Sequence, residues 1–150
     1  MNYSIILYVI GWVLNFEAAF MVPACATGLI YREPETSALA AVALFCLAVG
    51  LLITKKKPRS MSLYAKEGFV TVALCWVVLS ALGALPFVIS RVIPSYVDAL
   101  FEVVSGFTTT GSSILPEVEH MPHCLLFWRS FTHWIGGMGV LVFVIAVLPL

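Results

Sequence analysis

Four long apolar blocks separated by short polar joints organise this chain: residues 3–30, 37–54, 63–89 and 124–150. A bilayer's hydrocarbon core is about 30 Å thick, so a spanning helix needs roughly 20 residues, and each block predicts one span. The joints carry the expected breakers. Pro34 stops the turn at residues 31–36, and Pro58 interrupts the polar run at 55–61, because proline lacks an N–H and cannot continue a helix. Pro23 predicts a kink in the first helix and Pro86 a bend at the outer end of the third. One stretch breaks the pattern. The run from Ser95 to Ser105 is helical in character but far too short to cross, and Ser95-x-x-Asp98 resembles a capping box at its start. A half-helix ending at Gly106 is followed by Phe107-Thr108-Thr109-Thr110-Gly111-Ser112-Ser113. Irregular backbone at membrane depth survives only where protein buries it or where it lines a watery cavity. The pattern therefore predicts a re-entrant loop between two spans, followed by a polar loop at residues 114–123.

Composition fixes the solvent. Of 150 residues, 61% are hydrophobic and 11% charged, with mean hydropathy +1.04, which excludes an ordinary soluble domain. The fold class is all-α integral membrane. Net charge is zero, so bulk charge offers no nucleic-acid partner, and membrane lipid is the expected surroundings. Charge distribution says more. Lys55, Lys56, Lys57 and Arg59, with Lys66, are opposed only by Glu67, and the positive-inside rule makes that loop cytoplasmic. The N-terminus is then cytoplasmic, and the threonine loop enters from outside. The outer side holds Glu33, Glu35, Glu117 and Glu119 against Arg32 and Arg91, an acidic vestibule that would concentrate cations. Cys25, Cys46, Cys75 and Cys124 are scattered and form no paired motif, so no disulfide framework is expected. Ala24-Cys25-Ala26 imitates a processing site, but no basic residue precedes an apolar stretch too long for a signal peptide.

The chemistry concentrates in the loop. Thr108, Thr109, Thr110 and Gly111 offer consecutive carbonyls and threonine hydroxyls as oxygen ligands, at the end of a helix whose macrodipole favours a cation. Gly111 suits backbone with φ > 0. Asp98 and Glu102 lie one turn apart on the half-helix, and Arg129 sits at similar depth on the fourth long helix. A charge that deep is expected to pair, so Arg129 should brace the loop through Asp98 or Glu102. Snorkelling to the headgroups is the alternative. Glu17, mid-span in the first helix, should hydrogen-bond a neighbouring helix or mark a pathway. Gly136, Gly137 and Gly139 predict close packing or a hinge, and Trp128 and Trp134 an outer aromatic belt. Glu117, Glu119, His120, His123 and Cys124 have metal-ligand types at loose spacing and read better as an acidic outer loop. Two rivals belong to other classes. A membrane enzyme would use His133, or His120 and His123 with Glu119, and a non-transporting scaffold would pack through the glycine-rich helix.

Several stretches resemble one family: Ile30-Tyr31-Arg32, Glu67-Gly68-Phe69, Gly83-Ala84-Leu85-Pro86-Phe87, Ser105-Gly106-Phe107-Thr108-Thr109-Thr110-Gly111 and Trp134-Ile135-Gly136-Gly137-Met138-Gly139. They resemble the Trk/Ktr/HKT superfamily of potassium transporters, specifically the membrane subunits of bacterial Trk uptake systems. The resemblance implies two leading helices, residues 1–62, then four repeats of helix, pore helix, filter loop and helix around a pseudo-fourfold pore. Residues 63–150 would be the first repeat. By position, Thr109 and Thr110 match the family's potassium-coordinating residues and Gly111 its filter glycine, without the Gly-Tyr-Gly ending of potassium channels. Potassium is then the transported ion, and no covalent chemistry is expected. The other three repeats would come from a longer chain, the favoured reading since the sequence ends at Pro149-Leu150 without a polar cap, or from four assembled copies. A bacterial inner-membrane location, a homodimer and a cytosolic nucleotide-binding regulatory subunit are further implications of the resemblance alone.

Overall fold

The computed structural model describes residues 3–58 and 65–147, and every regular element among them is helical. Helix α1 spans Tyr3–Tyr31, α2 Thr36–Thr54, α3 Ala65–Gly83, α4 Leu85–Ile89, α5 Tyr96–Phe107 and α6 His123–Val147. Among the described residues, three stretches are long and apolar enough to cross a membrane: α1, α2, and the run Glu67–Ile89 that joins α3 to α4. At 25 residues, α6 also exceeds the roughly 20 that a span requires. The expected start of the third helix at Leu63, Arg59 of the basic loop, and Pro149 and Leu150 fall outside the described residues.

Helix α1 runs unbroken through Pro23 for 29 residues. It packs along most of α2 and also meets α3 and α6. Its buried stripe falls into two parts: Ile6, Ile10 and Leu14 cluster with Val49 and Ile53 of α2, and Ala18 and Met21 cluster with Leu39, Val42 and Cys46. The third span does break near its outer end, as Pro86 predicts. Pro86 has no N–H, and the Phe87 N–H turns to Ala84 O at 3.2 Å, so α3 ends at Gly83. Side chains from later elements take up nearby carbonyls: Trp128 Nε1 donates to Gly83 O at 3.0 Å, and Tyr96 Oη donates to Ala81 O at 3.1 Å. Trp128 is fully buried. It is a core residue that satisfies a broken helix, and the expectation of an aromatic belt at this position is wrong; Trp134, half-exposed, remains free to serve there.

Helix α5 begins where expected. Ser95 is extended, with its side chain accepting the Asp98 N–H at 3.4 Å. Ala99, Glu102, Val103, Gly106 and Phe107 are buried, the i, i+3, i+4, i+7 spacing of one helical face. That face meets α6, with Glu102 opposite Arg129, Gly106 against Thr132 and Phe107 against Gly136. Gly136 makes the contact possible. A Cβ there would lie 2.1 Å from Phe107 O, so α6 meets the last residue of α5 backbone to backbone. Gly136 therefore serves close packing, one of the two roles expected of the glycine run.

Glu17 departs from expectation. Its side chain is 1% exposed, and neither carboxylate oxygen has a hydrogen-bond partner among the described residues. The predicted bond to a neighbouring helix is absent among the described residues. Glu17 lines a cavity of about 580 Å³ walled by Phe16, Phe20, Leu79, Phe107 and Trp134.

Candidate ion-coordinating loop

Helix α5 closes on itself before the loop begins. Thr109 N–H donates to Gly106 O and Thr110 N–H to Ser105 O, both at 2.9 Å, the paired bonds of a Schellman motif. Such a motif needs a left-handed residue after the cap, and Thr109 supplies it with φ 56°. Glycine is the usual occupant because a Cβ there costs roughly 1–2 kcal/mol. Thr108 N–H returns to Val104 O and Gly111 N–H to Ser105 O. The four N–H groups of Thr108–Gly111 are therefore spent on the helix end.

This division decides which oxygens stay open. The last-turn carbonyls of α5, those of Val104, Ser105 and Gly106, point into the threonine loop and accept its own N–H groups. Among the described residues, nothing donates to the carbonyl oxygens of Thr109, Thr110 or Gly111. Residues Thr108–Ser113 are all exposed. The hydroxyls are ordered too. Thr108 Oγ1 donates to Val104 O at 2.7 Å, so the 2.8 Å contact between the Thr108 and Thr110 hydroxyls must be donated by Thr110. Thr109 Oγ1 donates to Thr108 O at 2.7 Å. Each proton is committed inside the loop, and oxygen lone pairs remain for a ligand. Gly111 has φ 77°, the conformation anticipated for it, and nothing lies within 4 Å of where a Cβ would be.

The outgoing end is tied to the same helix. Ser105 Oγ donates to Ser112 O at 2.6 Å. Glu102 Oε1 and Oε2 accept from Ser113 Oγ at 2.9 and 3.1 Å, and Oε2 accepts the Ile114 N–H at 3.0 Å. Arg129 Nε of α6 donates to Glu102 Oε1. Glu102 is 1% exposed, and a buried carboxylate is tolerable only with this complement of donors. Between the two expected partners Arg129 takes Glu102. Asp98, one turn nearer the start of α5, makes no side-chain hydrogen bond or ion pair among the described residues and is not among the buried residues of α5, whereas Glu102 is. Ser105 and Ser113 escaped sequence reading; their signal is a small polar residue on either flank of the threonine run.

The other candidates scatter. His123 Nδ1 lies 2.8 Å from Glu33 Oε1 and its ring stacks on Tyr31, while His120 pairs with Glu117 at the surface. Among the described residues, no group of three or more His, Cys, Asp or Glu gathers as a metal site. His133 Nδ1 donates to Arg129 O at 3.1 Å. All four cysteines are free thiols.

Described residues whose regular elements are all helical, with three apolar stretches long enough to cross a bilayer among them, define a multi-pass membrane protein, here with an open-oxygen loop between two helices. The chain belongs to the TrkH family of cation transport proteins, whose model matches residues 35–150. It is 36% identical over 154 residues to the Trk system potassium uptake protein TrkH of Escherichia coli, covering all of this chain and 32% of that one. It is also 36% identical over 138 residues to an uncharacterised cation transporter of Methanocaldococcus jannaschii, covering 91% of this chain and 29% of that protein. The crystal structure of the potassium transporter TrkH from Vibrio parahaemolyticus superposes with a TM-score of 0.91 at 31% identity, over all of this chain and 32% of that one. The chain thus spans about a third of the length of these relatives.

Proposed function

We propose that this chain supplies one of four filter segments of a potassium uptake path, with Thr108, Thr109, Thr110 and Gly111 offering oxygens to the passing ion. The observation that carries this reading is the division of the loop's polar groups. The N–H groups are turned to the helix end, and the carbonyls of Thr109, Thr110 and Gly111 are left without donors. Oxygens in that state are what must replace an ion's hydration shell. Related proteins named for potassium uptake give the cargo its identity. Glu102 and Arg129 support the loop, and Asp98, exposed to no partner, contributes at most charge near its mouth. In this reading residues 1–62 are a leading pair and 63–150 the first repeat, with three further repeats supplied by the full-length transporter. The basic loop faces the cytoplasm and the threonine loop opens outward, in the inner membrane. A homodimer and a cytosolic nucleotide-binding regulatory subunit complete the assembly by family likeness.

The test is growth of an uptake-deficient bacterium at low potassium, carrying the full-length natural transporter with and without Gly111→Ala. A Cβ at Gly111 meets no neighbour, so the substitution strains only the loop backbone. The parent restores growth, and the variant loses it or admits sodium. Rescue indifferent to Gly111 would refute the filter assignment.

A further inference from the structure

Helix α6 lacks a cap of its own. Pro122 stands before His123 and carries no side-chain acceptor, while the first N–H groups of any helix have no partner within it. Glu33, in the turn between α1 and α2, fills the gap from 90 residues away. Its Oε1 accepts the His123 N–H at 2.7 Å and lies 2.8 Å from His123 Nδ1; its Oε2 accepts the Cys124 N–H at 2.9 Å. The Tyr31 ring stacks on the His123 imidazole at 4.0 Å with 3° between planes. Partial burial pushes the Glu33 carboxyl up, but the backbone N–H bonds of Cys124 and His123 and the His123 ring outweigh it and hold it down at about 2. Glu33 is thus anionic at a helix N-terminus, where the dipole favours negative charge.

The clamp is rigid at both ends. On the α1 side, Glu33 N–H donates to Gly28 O at 3.0 Å and Arg32 N–H to Leu29 O at 3.3 Å, with Arg32 at φ 57°. This is a second Schellman closure, and it fixes the residue that reaches across. On the α6 side, Arg129 lies six residues beyond His123, about 9 Å along a stiff helix. Arg129 holds Glu102, and Glu102 holds Ser113 and Ile114. A continuous run of named bonds therefore joins the α1–α2 turn to the far end of the threonine loop. The acidic vestibule expected from the sequence loses Glu33, which is committed to this clamp.

We propose that Glu33 is a positioning residue for the threonine loop, setting the depth of α6 so that Arg129 reaches Glu102 and the loop oxygens keep the spacing that distinguishes potassium from sodium. This rests on the reading of the loop as a filter. The test uses the full-length transporter in proteoliposomes, with radioactive rubidium and sodium as probes. The variants are Glu33→Ala, Glu33→Gln, Arg129→Gln, the Glu33→Ala/Arg129→Gln double variant and Gly111→Ala. Rubidium-over-sodium discrimination is expected to fall about three- to tenfold in Glu33→Ala. It should fall less in Glu33→Gln, whose amide oxygen still accepts one N–H. In the Arg129→Gln background, Glu33→Ala should add little, since both act on one chain of contacts. A merely structural role would lower the amount of folded protein and leave the discrimination of what remains unchanged. If Glu33→Ala does not fold, Glu33→Gln carries the test. Parental discrimination in the Glu33 variants, with Gly111→Ala impaired, would overturn the role of Glu33 alone. Parental discrimination in Gly111→Ala as well would overturn the filter reading beneath it.

Discussion

Gly136 and Gly137 are adjacent on α6, and adding one methyl to each should have opposite outcomes. At Gly136 a Cβ would sit 2.1 Å from Phe107 O, 2.7 Å from Phe107 C and 2.9 Å from Phe107 Cα. All three are backbone atoms, so no side chain can rotate away. Ordinary contact begins near 3.4 Å, and α6 must retreat by about 1.3 Å, the difference between 3.4 and 2.1 Å. Overpacking of this kind costs about 1–3 kcal/mol where neighbours can yield, and more where they cannot. Phe107 immediately precedes Thr108, so the displacement passes straight into the loop. At Gly137 the nearest atom to a Cβ is Thr109 Cγ2, at 3.9 Å, and alanine is also the better helix former by roughly 0.5–1 kcal/mol. In the full-length transporter, Gly136→Ala is expected to lower the thermal midpoint in detergent and to abolish potassium-limited growth. Gly137→Ala should match or exceed the parent in stability and support growth. Equal tolerance at both positions would refute the backbone contact between α6 and the end of α5.

Arg129→Gln strips the cation from a carboxylate that is 1% exposed. Breaking a buried pair costs about 3–5 kcal/mol, and the full-length variant should melt earlier than an Arg129→Gln/Glu102→Gln double variant. If the single change were the milder one, the pairing would be wrong. Glu17→Gln removes the charge from a side chain with no partner among the described residues. It should leave thermal stability equal or higher, whereas Glu17→Ala enlarges an existing cavity and should lower it. A marked loss in Glu17→Gln would show that the carboxylate has a partner elsewhere in the full-length transporter. Glu33 titrates at about 2 in the folded chain against 4.5 ordinarily, so its contribution is complete above about pH 4.5 and fades as pH falls toward 2. The gap in thermal midpoint between parent and Glu33→Gln should be flat at neutral pH and narrow with acid; a gap that widened would contradict the sign.

Helix placement was legible wherever it depends on local chemistry. Runs of apolar residues mark α1 and α2 to within one residue, Pro86 marks the break before α4, and Ser95 marks the start of α5. Facing was not legible. Trp128 reads the same in the sequence whether it lies at a headgroup or in a core, and only the freed carbonyl of Gly83 settles it. Asp98 and Glu102 share a helical face by spacing, and the choice between them depends on where α6 lies. Gly111 announced its positive φ through its residue type, but Thr109 did not, because a β-branched residue rarely adopts that conformation. Glu33 was hidden for another reason: its partners are 90 and 91 residues distant, and two of the three donors are backbone groups without a sequence signature.

If the threonine loop is the filter proposed above, the Arg129–Glu102 pair bears on throughput. Opposite charges held together present a dipole, whose field decays faster than that of a lone ion. A bare carboxylate near a cation would deepen its well and lengthen its stay, by an amount set by their separation and the local dielectric. Conduction requires that each stop be shallow enough to leave. By cancelling the charge it is anchored to, the brace holds the loop in shape without adding a trap beside it. On the proposed filter reading, the dwell of each ion would be left to the neutral oxygens of Thr109, Thr110 and Gly111, so a cargo could pass quickly through a mouth that is nonetheless rigid.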